Sequence, residues 1–295
     1  MNLAYAGETL SVIFDWDYVL WEVRLKLVAA GFFIYLDVFL LLHWLASWIS
    51  ASYRTLSAKQ KVFSNIAIAR GLLGIQSCIA GLWAMLIDPV FQADKVYSQQ
   101  KWSWFHCLIA SGFILFENVV VHVSNIVFRT CDVFLVVHHL FAFGGLLGLI
   151  INIKSGHYLP VMGLLLEMST PSICMCNLIF ISMLFSLQTG YANTLLWKAN
   201  QWVLIHMQHC RLVLTYHMWW VCISNWNDVV ENLGLPHFIV FFMGLSTLTI
   251  ILNPYWIYRS TRRPFGPVDW NFSFFTAVFG SSGKLNSETL QRKRI

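Results

Sequence analysis

The chain is short of charge. Asp, Glu, Lys and Arg make up 11% of its 295 residues, while hydrophobic residues make up 58%. Mean hydropathy is +0.63. So few charges cannot cover a water-soluble surface, so part of the solvent is lipid. The net charge of +5 forms no basic stripe, and Lys and Arg gather in inter-helix loops and near the C-terminal end. That pattern belongs to a membrane protein and argues against a nucleic-acid partner. Cys-x-x-Cys is also lacking. The seven cysteines (Cys78, Cys107, Cys131, Cys174, Cys176, Cys210, Cys222) all fall in apolar segments and read as small buried hydrophobes, not a disulfide framework or zinc site. Before the first apolar run stand Glu8, Asp15, Asp17 and Glu22, so a cleavable signal peptide is not expected and targeting falls to the first span. There is no internal repeat and no stretch long enough for a soluble domain.

What the chain has is long apolar runs. A helix needs roughly 20 apolar residues to cross the hydrocarbon core. Candidate spans run near 26–49, 63–87, 103–124, 131–151, 158–186, 196–224 and 236–258. The fold class is therefore an all-α membrane protein of about seven transmembrane helices. A short segment, 1–25, precedes the bundle of 26–258, and a polar tail, 259–295, follows it. Met168-Ser169-Thr170-Pro171 breaks the fifth span with a proline, which neighbouring helices can accommodate.

Basic residues set the orientation. Arg54, Lys59 and Lys61 follow the first span, and the tail carries Arg259, Arg262, Arg263, Lys284, Arg292, Lys293 and Arg294. The N-terminal segment is acidic. Seven spans then place the N-terminus in the lumen and the C-terminus in the cytosol. The sequon Asn271-Phe272-Ser273 falls on the cytosolic side and should stay unglycosylated. The end, Arg292-Lys293-Arg294-Ile295, resembles the dibasic signal that coat proteins read to return cargo to the endoplasmic reticulum. A basic end lying against an anionic membrane is the alternative.

Ionisable residues inside spans are costly, by roughly 2.5–3.5 kcal/mol at mid-helix, and each marks function or an ion pair between helices. The deepest are Glu117, His138, His139, Glu167, His206, His209, Arg211 and His217, with Asp37, Arg70 and His122 nearer the ends. At 1.5 Å per residue, His138 and His139 lie on the order of 10 Å below the cytosolic boundary. His206, His209 and Glu167 come out near mid-membrane. Four helices supplying polar groups at overlapping depths point to a shared buried pocket. Neighbouring helix positions diverge by about 100°, so His138 and His139 cannot both face one atom. His138 shares its face with Ala142 and Gly145, and His139 shares one with Asp132 and Leu146. His206, His209, Val213 and His217 recur at helical spacing as a histidine stripe expected to line the cavity. Arg211 points away from it, toward a carboxylate such as Glu117 or Glu167. Gly144 and Gly148 form a small-xxx-small pair suited to close helix packing.

Three chemistries could use these groups. His206-x-x-His209 and His138-His139 are too few for an iron cluster, so no metal is expected. No span carries Gly-x-Ser-x-Gly, so a serine hydrolase is not indicated. A neutral imidazole oriented by a carboxylate can act as general base or carry an acyl group. That reading suits a thioester donor arriving from the cytosol.

Val136-Val137-His138-His139-Leu140-Phe141-Ala142-Phe143, followed one span later by Leu166-Glu167-Met168-Ser169-Thr170-Pro171, resembles the TLC domain, the fold shared with ceramide synthases. The resemblance implies a six-helix barrel, from about residue 62, plus one N-terminal helix, with acyl chains threading a cavity open to the cytosol. It implies catalytic roles for His138 and His139, with acyl-CoA as donor. Glu167, the carboxylate beside them, is read as the third catalytic residue, no other cofactor is expected, and depth and spacing mark Glu117, His206, His209, Arg211 and His217 as cavity residues. The synthases' acidic motif on the helix after the double histidine is missing here, because Glu167 is the fifth span's only carboxylate. An acceptor other than a sphingoid base is therefore expected, and the resemblance implies one of the glycerophospholipid type. Two other functions fit the same chain in the endoplasmic reticulum and the ER-Golgi intermediate compartment: a receptor exporting soluble lysosomal enzymes, gripping them through luminal loops, and a non-catalytic lipid sensor.

Overall fold

The computed structural model of the protein describes residues 15–130, 133–172 and 195–262. The second half of the expected fifth span, Cys131, Asp132, Cys174, Cys176, the sequon at Asn271 and the basic end with Arg292 and Lys293 lie outside them. All regular structure among the described residues is helical. In order the helices are α1 Trp21–Ile49, α2 Ala51–Arg54, α3 Ala58–Leu86, α4 Pro89–Ala93, α5 Lys101–Phe128 and α6 Val133–Ile151. They continue with α7 Tyr158–Leu165, α8 Leu195–Ser224, α9 Trp226–Asn232, α10 Leu235–Thr247 and α11 Asn253–Arg262. A 3-10 turn, Leu166–Ser169, follows α7, and a π-helical turn, Leu248–Leu252, joins α10 to α11.

Five helical stretches are long and apolar enough to cross a membrane: α1, α3, α5, α6 and the continuous run Leu235–Arg262. The other two expected spans differ. α8 has the length, 30 residues, but Lys198, His206, His209, Arg211 and His217 dilute its apolar character. The fifth expected span starts with α7, tightens into the 3-10 turn just ahead of Pro171, and then leaves the described residues. Helix starts also shift from the hydropathy reading, because caps rather than apolar runs set them. α3 begins well before residue 63, where Ser57 and Gln60 form a capping box. The last helix runs past 258 to Arg262.

α5 is the central helix: Cys107, Leu108, Ala110, Phe113 and Phe116 are fully enclosed. α1 closes on it where Gly31 and Gly112 meet, since a Cβ on either would run into the other helix's backbone. The outer face of α1, with Phe33, Leu40, Leu41 and Trp44, is exposed and suits lipid. The Gly144–Gly148 pair on α6 packs against α10 as its spacing predicts, Gly144 under Val240 and Gly148 under the His237 ring.

One end of the bundle is knitted shut by loops. Asn232 accepts from the Gly156 N–H and donates to the Lys154 carbonyl, and Asn152 donates to the Asn232 carbonyl. Gln99 donates to the carbonyls of Ile153 and Ser155, and the His157 N–H donates to Ser98. His157 shares a 2.7 Å hydrogen bond with Ser103, and burial pushes its pKa from 6.5 down to about 3. Beneath these loops Val96, Val229 and Leu233 form a small apolar floor. Polar backbone that would otherwise be orphaned at a membrane boundary is thus satisfied internally.

Candidate functional site

α6 carries both histidines, and its pitch sends them to different places. His138 lines a cavity together with Phe141, Ala142, Gly145 and Leu146 of the same helix. This matches the face that spacing assigned to it. His139 points into the seam between α5 and α6 and is 4% exposed. The 3-10 turn after α7 brings Glu167 to the cavity wall, opposite His138. That turn fits tightly against α3, because a Cβ on Gly74 would lie 2.8 Å from the Glu167 carbonyl and 2.7 Å from Pro171.

Two histidine–carboxylate pairs result, and they differ in access. His138 Nε2 lies 3.6 Å from Glu167 Oε1, with side-chain exposures of 15% and 20% toward the cavity. His139 Nδ1 lies 3.4 Å from Glu117 Oε2, with exposures of only 5% and 3%. Glu117 is also ion-paired with Arg70 of α3, so its charge is matched inside the bundle. Glu117 and His139 do not line the cavity. The first pair is reachable by a ligand, whereas the second is buried between helices.

Both members of the accessible pair are held from behind. The Thr170 hydroxyl donates to Glu167 Oε2 at 2.5 Å. Arg211, 3% exposed, attracts Glu167 electrostatically, and its Nε donates to Asn253 Oδ1 at 3.1 Å. Asn253 in turn donates to Thr215 at 3.3 Å. The Arg211 guanidinium stacks 4.6 Å over Trp256, whose ring meets His138 edge-on at 5.2 Å. Asn253 and Trp256 both follow the π-helical turn Leu248–Leu252. Insertions of this kind are frequent at functional sites.

The remaining expected cavity residues are placed elsewhere. His206 and His209 sit on the exposed face of α8, donating through Nδ1 to the carbonyls of Trp202 and Ile205, each at 2.7 Å. The expectation that they line the cavity is corrected: the helical stripe is real, but it faces outward with Val213, 67% exposed. His217 shares a 2.8 Å hydrogen bond with Tyr158 and also lies outside the lining. Arg211 stands behind the site and does not line it. Sequence reasoning missed Arg70 as the partner of Glu117, and it missed Asn253 and Trp256. An arginine inside an expected span, even one nearer its end, was the available signal for the first. Nothing in periodicity announces a π turn. Among the described residues, no three His, Cys, Asp or Glu side chains converge as a metal site.

The cavity is elongated. It runs from His138 and Glu167 along α6, α7 and α10 to Val96, Ser155 and Asn232 under the loop cap. Its wall is mostly apolar between those ends, with Leu159, Leu164, Val240, Phe241 and Leu245 facing in. A polar pair in an otherwise apolar intramembrane slot suits a reactive group at one end of a hydrophobic chain.

These features define an all-α, multi-pass membrane protein with a histidine–carboxylate pair on an internal cavity. The chain is 50% identical to Protein CLN8 of Homo sapiens over 294 residues, covering 100% of both chains. It is 50% identical to Protein CLN8 of Mus musculus over 283 residues, 96% of each, and 51% identical to that of Canis lupus familiaris over 267 residues, 90% of each. The chain belongs to the CLN8 (neuronal ceroid lipofuscinosis type 8) family. No family model matches it, so the TLC likeness rests on the motifs. No solved structure matches it either.

Proposed function

We propose that this protein is an acyl-CoA-dependent lipid acyltransferase, with His138 as the acyl-handling residue and a glycerophospholipid-type acceptor. The observation that carries the reading is the pairing of His138 with Glu167 on the wall of an apolar cavity. A neutral imidazole nitrogen attacks the thioester carbonyl, the C–S bond breaks and CoA leaves as thiolate. Glu167 holds the ring's other N–H and stabilises the positive charge that forms. The acceptor hydroxyl then attacks the acyl-imidazole carbon, an ester forms, and the hydroxyl proton goes to the thiolate. The net reaction converts thioester and alcohol to ester and thiol. At 3.6 Å the His138–Glu167 contact is looser than a hydrogen bond, as resting catalytic contacts often are. His139 and Glu117 serve as positioning residues, fixing α6 against α5 and α3.

His138 lies five residues into α6 from Val133, about 8 Å along the axis. The thioester therefore enters from that end of the bundle, which the charge pattern assigns to the cytosol, and we place the protein in the endoplasmic reticulum membrane. The test is acyl transfer by purified protein from palmitoyl-CoA to a lysoglycerophospholipid. His138→Gln should lower it by about 10²–10⁴-fold while the variant stays folded. Full activity in that variant refutes the assignment. Lipid co-purifying with a wild-type protein that transfers no acyl group supports the sensor in its place.

A further inference from the structure

Two glycines on the cavity wall have no packing reason to be glycine. A Cβ built on Gly145 of α6 or on Gly163 of α7 meets nothing within 4 Å, and both residues line the slot. Gly74, Gly148 and Gly156 are different, because an added Cβ there collides with a neighbour. The two open positions line the slot from two different helices, α6 and α7. Gly145 is seven residues from His138, about 10 Å along α6, and Gly163 is four residues from Glu167, about 6 Å along α7. Beyond them the slot continues to the floor of Val96, Val229 and Leu233. The lining on the last span reaches from Leu252 to His237, about 22 Å of helix. That floor is fixed by the hydrogen bonds among its loops. The Asn232 side-chain amide is engaged there with Gly156 and Lys154, and Lys95 Nζ sits 5.9 Å over the Tyr158 ring.

From this geometry we propose that Gly145 and Gly163 are specificity-determining residues. They leave a passage for one long, straight acyl chain, with its carbonyl at His138 and its terminal methyl at the Val96–Val229–Leu233 floor. Chain length is then read by the distance between a fixed reactive end and a fixed floor, and the glycines keep the middle open. Side chains at these positions narrow the passage without touching the His138–Glu167 pair. The inference rests on the acyl-transfer reading for its direction, carbonyl toward His138, but the passage exists without turnover.

The experiment uses full-length protein in lipid nanodiscs. Palmitoyl-CoA and octanoyl-CoA are compared as donors for wild type, Gly145→Leu and Gly163→Val. Alongside, palmitate bearing a diazirine at its methyl end is crosslinked to the protein and the labelled peptides are mapped. The ratio of palmitoyl to octanoyl transfer should fall by about tenfold or more in each variant, the scale at which apolar pockets discriminate small changes in chain size. In wild type the diazirine should label the segments holding Val96, Val229 and Leu233, and Gly145→Leu should lose that label. An unchanged donor ratio in folded variants overturns the proposal. So does labelling of wild type away from the floor, a result that needs no variant to fold. If no donor is turned over but the floor is labelled and Gly145→Leu abolishes the label, the passage stands and the acyltransferase reading fails.

Discussion

Glu117 offers the sharpest separation of structure from chemistry at this site. Its side chain is 3% exposed, ion-paired with Arg70 of α3 and 3.4 Å from His139 of α6, so it ties three helices together. Glu117→Ala leaves the Arg70 guanidinium, itself only 22% exposed, without its carboxylate inside the bundle. Breaking one side of a buried pair costs about 3–5 kcal/mol, because the remaining charge stays desolvated and unmatched. Arg70→Met should cost a similar amount by orphaning Glu117. The double variant Arg70→Met/Glu117→Leu should recover most of the loss, since a buried pair replaced by apolar groups of similar size is often neutral. The coupling between the two positions is thus large and opposite in sign to either single effect. Unfolding can be followed with a thiol-reactive dye, as Cys107 and Cys222 are fully buried in the native fold and react on opening. The single variants should melt several degrees below wild type and the double variant close to it. A Glu117→Ala protein that melts with wild type, or a double variant as damaged as the sum of the singles, refutes the network.

The other expectations follow from the same geometry. His138→Gln should lower acyl transfer by about 10²–10⁴-fold with little change in melting temperature, whereas His139→Asn should chiefly lower stability. Kinetics and the thiol assay on the same preparations separate the two. Gly74→Val should destabilise by about 1–3 kcal/mol, because the side chain collides with the turn that carries Glu167, and transfer should fall with it. Asn253→Ala frees Arg211 Nε and should reduce the rate more than it raises KM, measured by initial rates across donor concentration. His157 is neutral in the fold, with its pKa lowered from 6.5 to about 3 by burial. The unfolded chain therefore binds one more proton between those values, and the stability it contributes is present above pH 6.5 and lost as pH falls toward 3. The slope is about 1.4 kcal/mol per pH unit in that window. Melting curves from pH 7 to pH 5 should show it, and His157→Gln should flatten it.

Much of the fold was legible because lipid is a demanding solvent. Five of the expected spans reappear as long apolar helices, and the face shared by His138, Ala142 and Gly145 is the one that lines the cavity. Helical pitch alone required that the two histidines part company. It could not say which one reached the cavity, since that depends on how α6 is rotated against α5 and α10. The same indeterminacy misled the reading of α8. His206 and His209 share a face, but polarity does not reveal whether that face looks inward, and their Nδ1 groups are satisfied by their own helix. Helical spacing sets Arg211 apart from the stripe but leaves Glu117 and Glu167 both open as its carboxylate, and its hydrogen-bond partner lies beyond a π turn that no period of 3.6 anticipates. Helix starts shifted where Ser57 caps α3 ahead of its apolar run.

The central claim is that His138, paired with Glu167 on the cavity wall, handles the acyl group. Mass spectrometry of the purified protein after brief incubation with palmitoyl-CoA and no acceptor tests it most directly. The account predicts a labile palmitoyl adduct on the peptide carrying His138, lost in His138→Gln, retained in folded His139→Asn and discharged on adding acceptor. An adduct elsewhere, or acyl transfer that proceeds unchanged in His138→Gln, would contradict it.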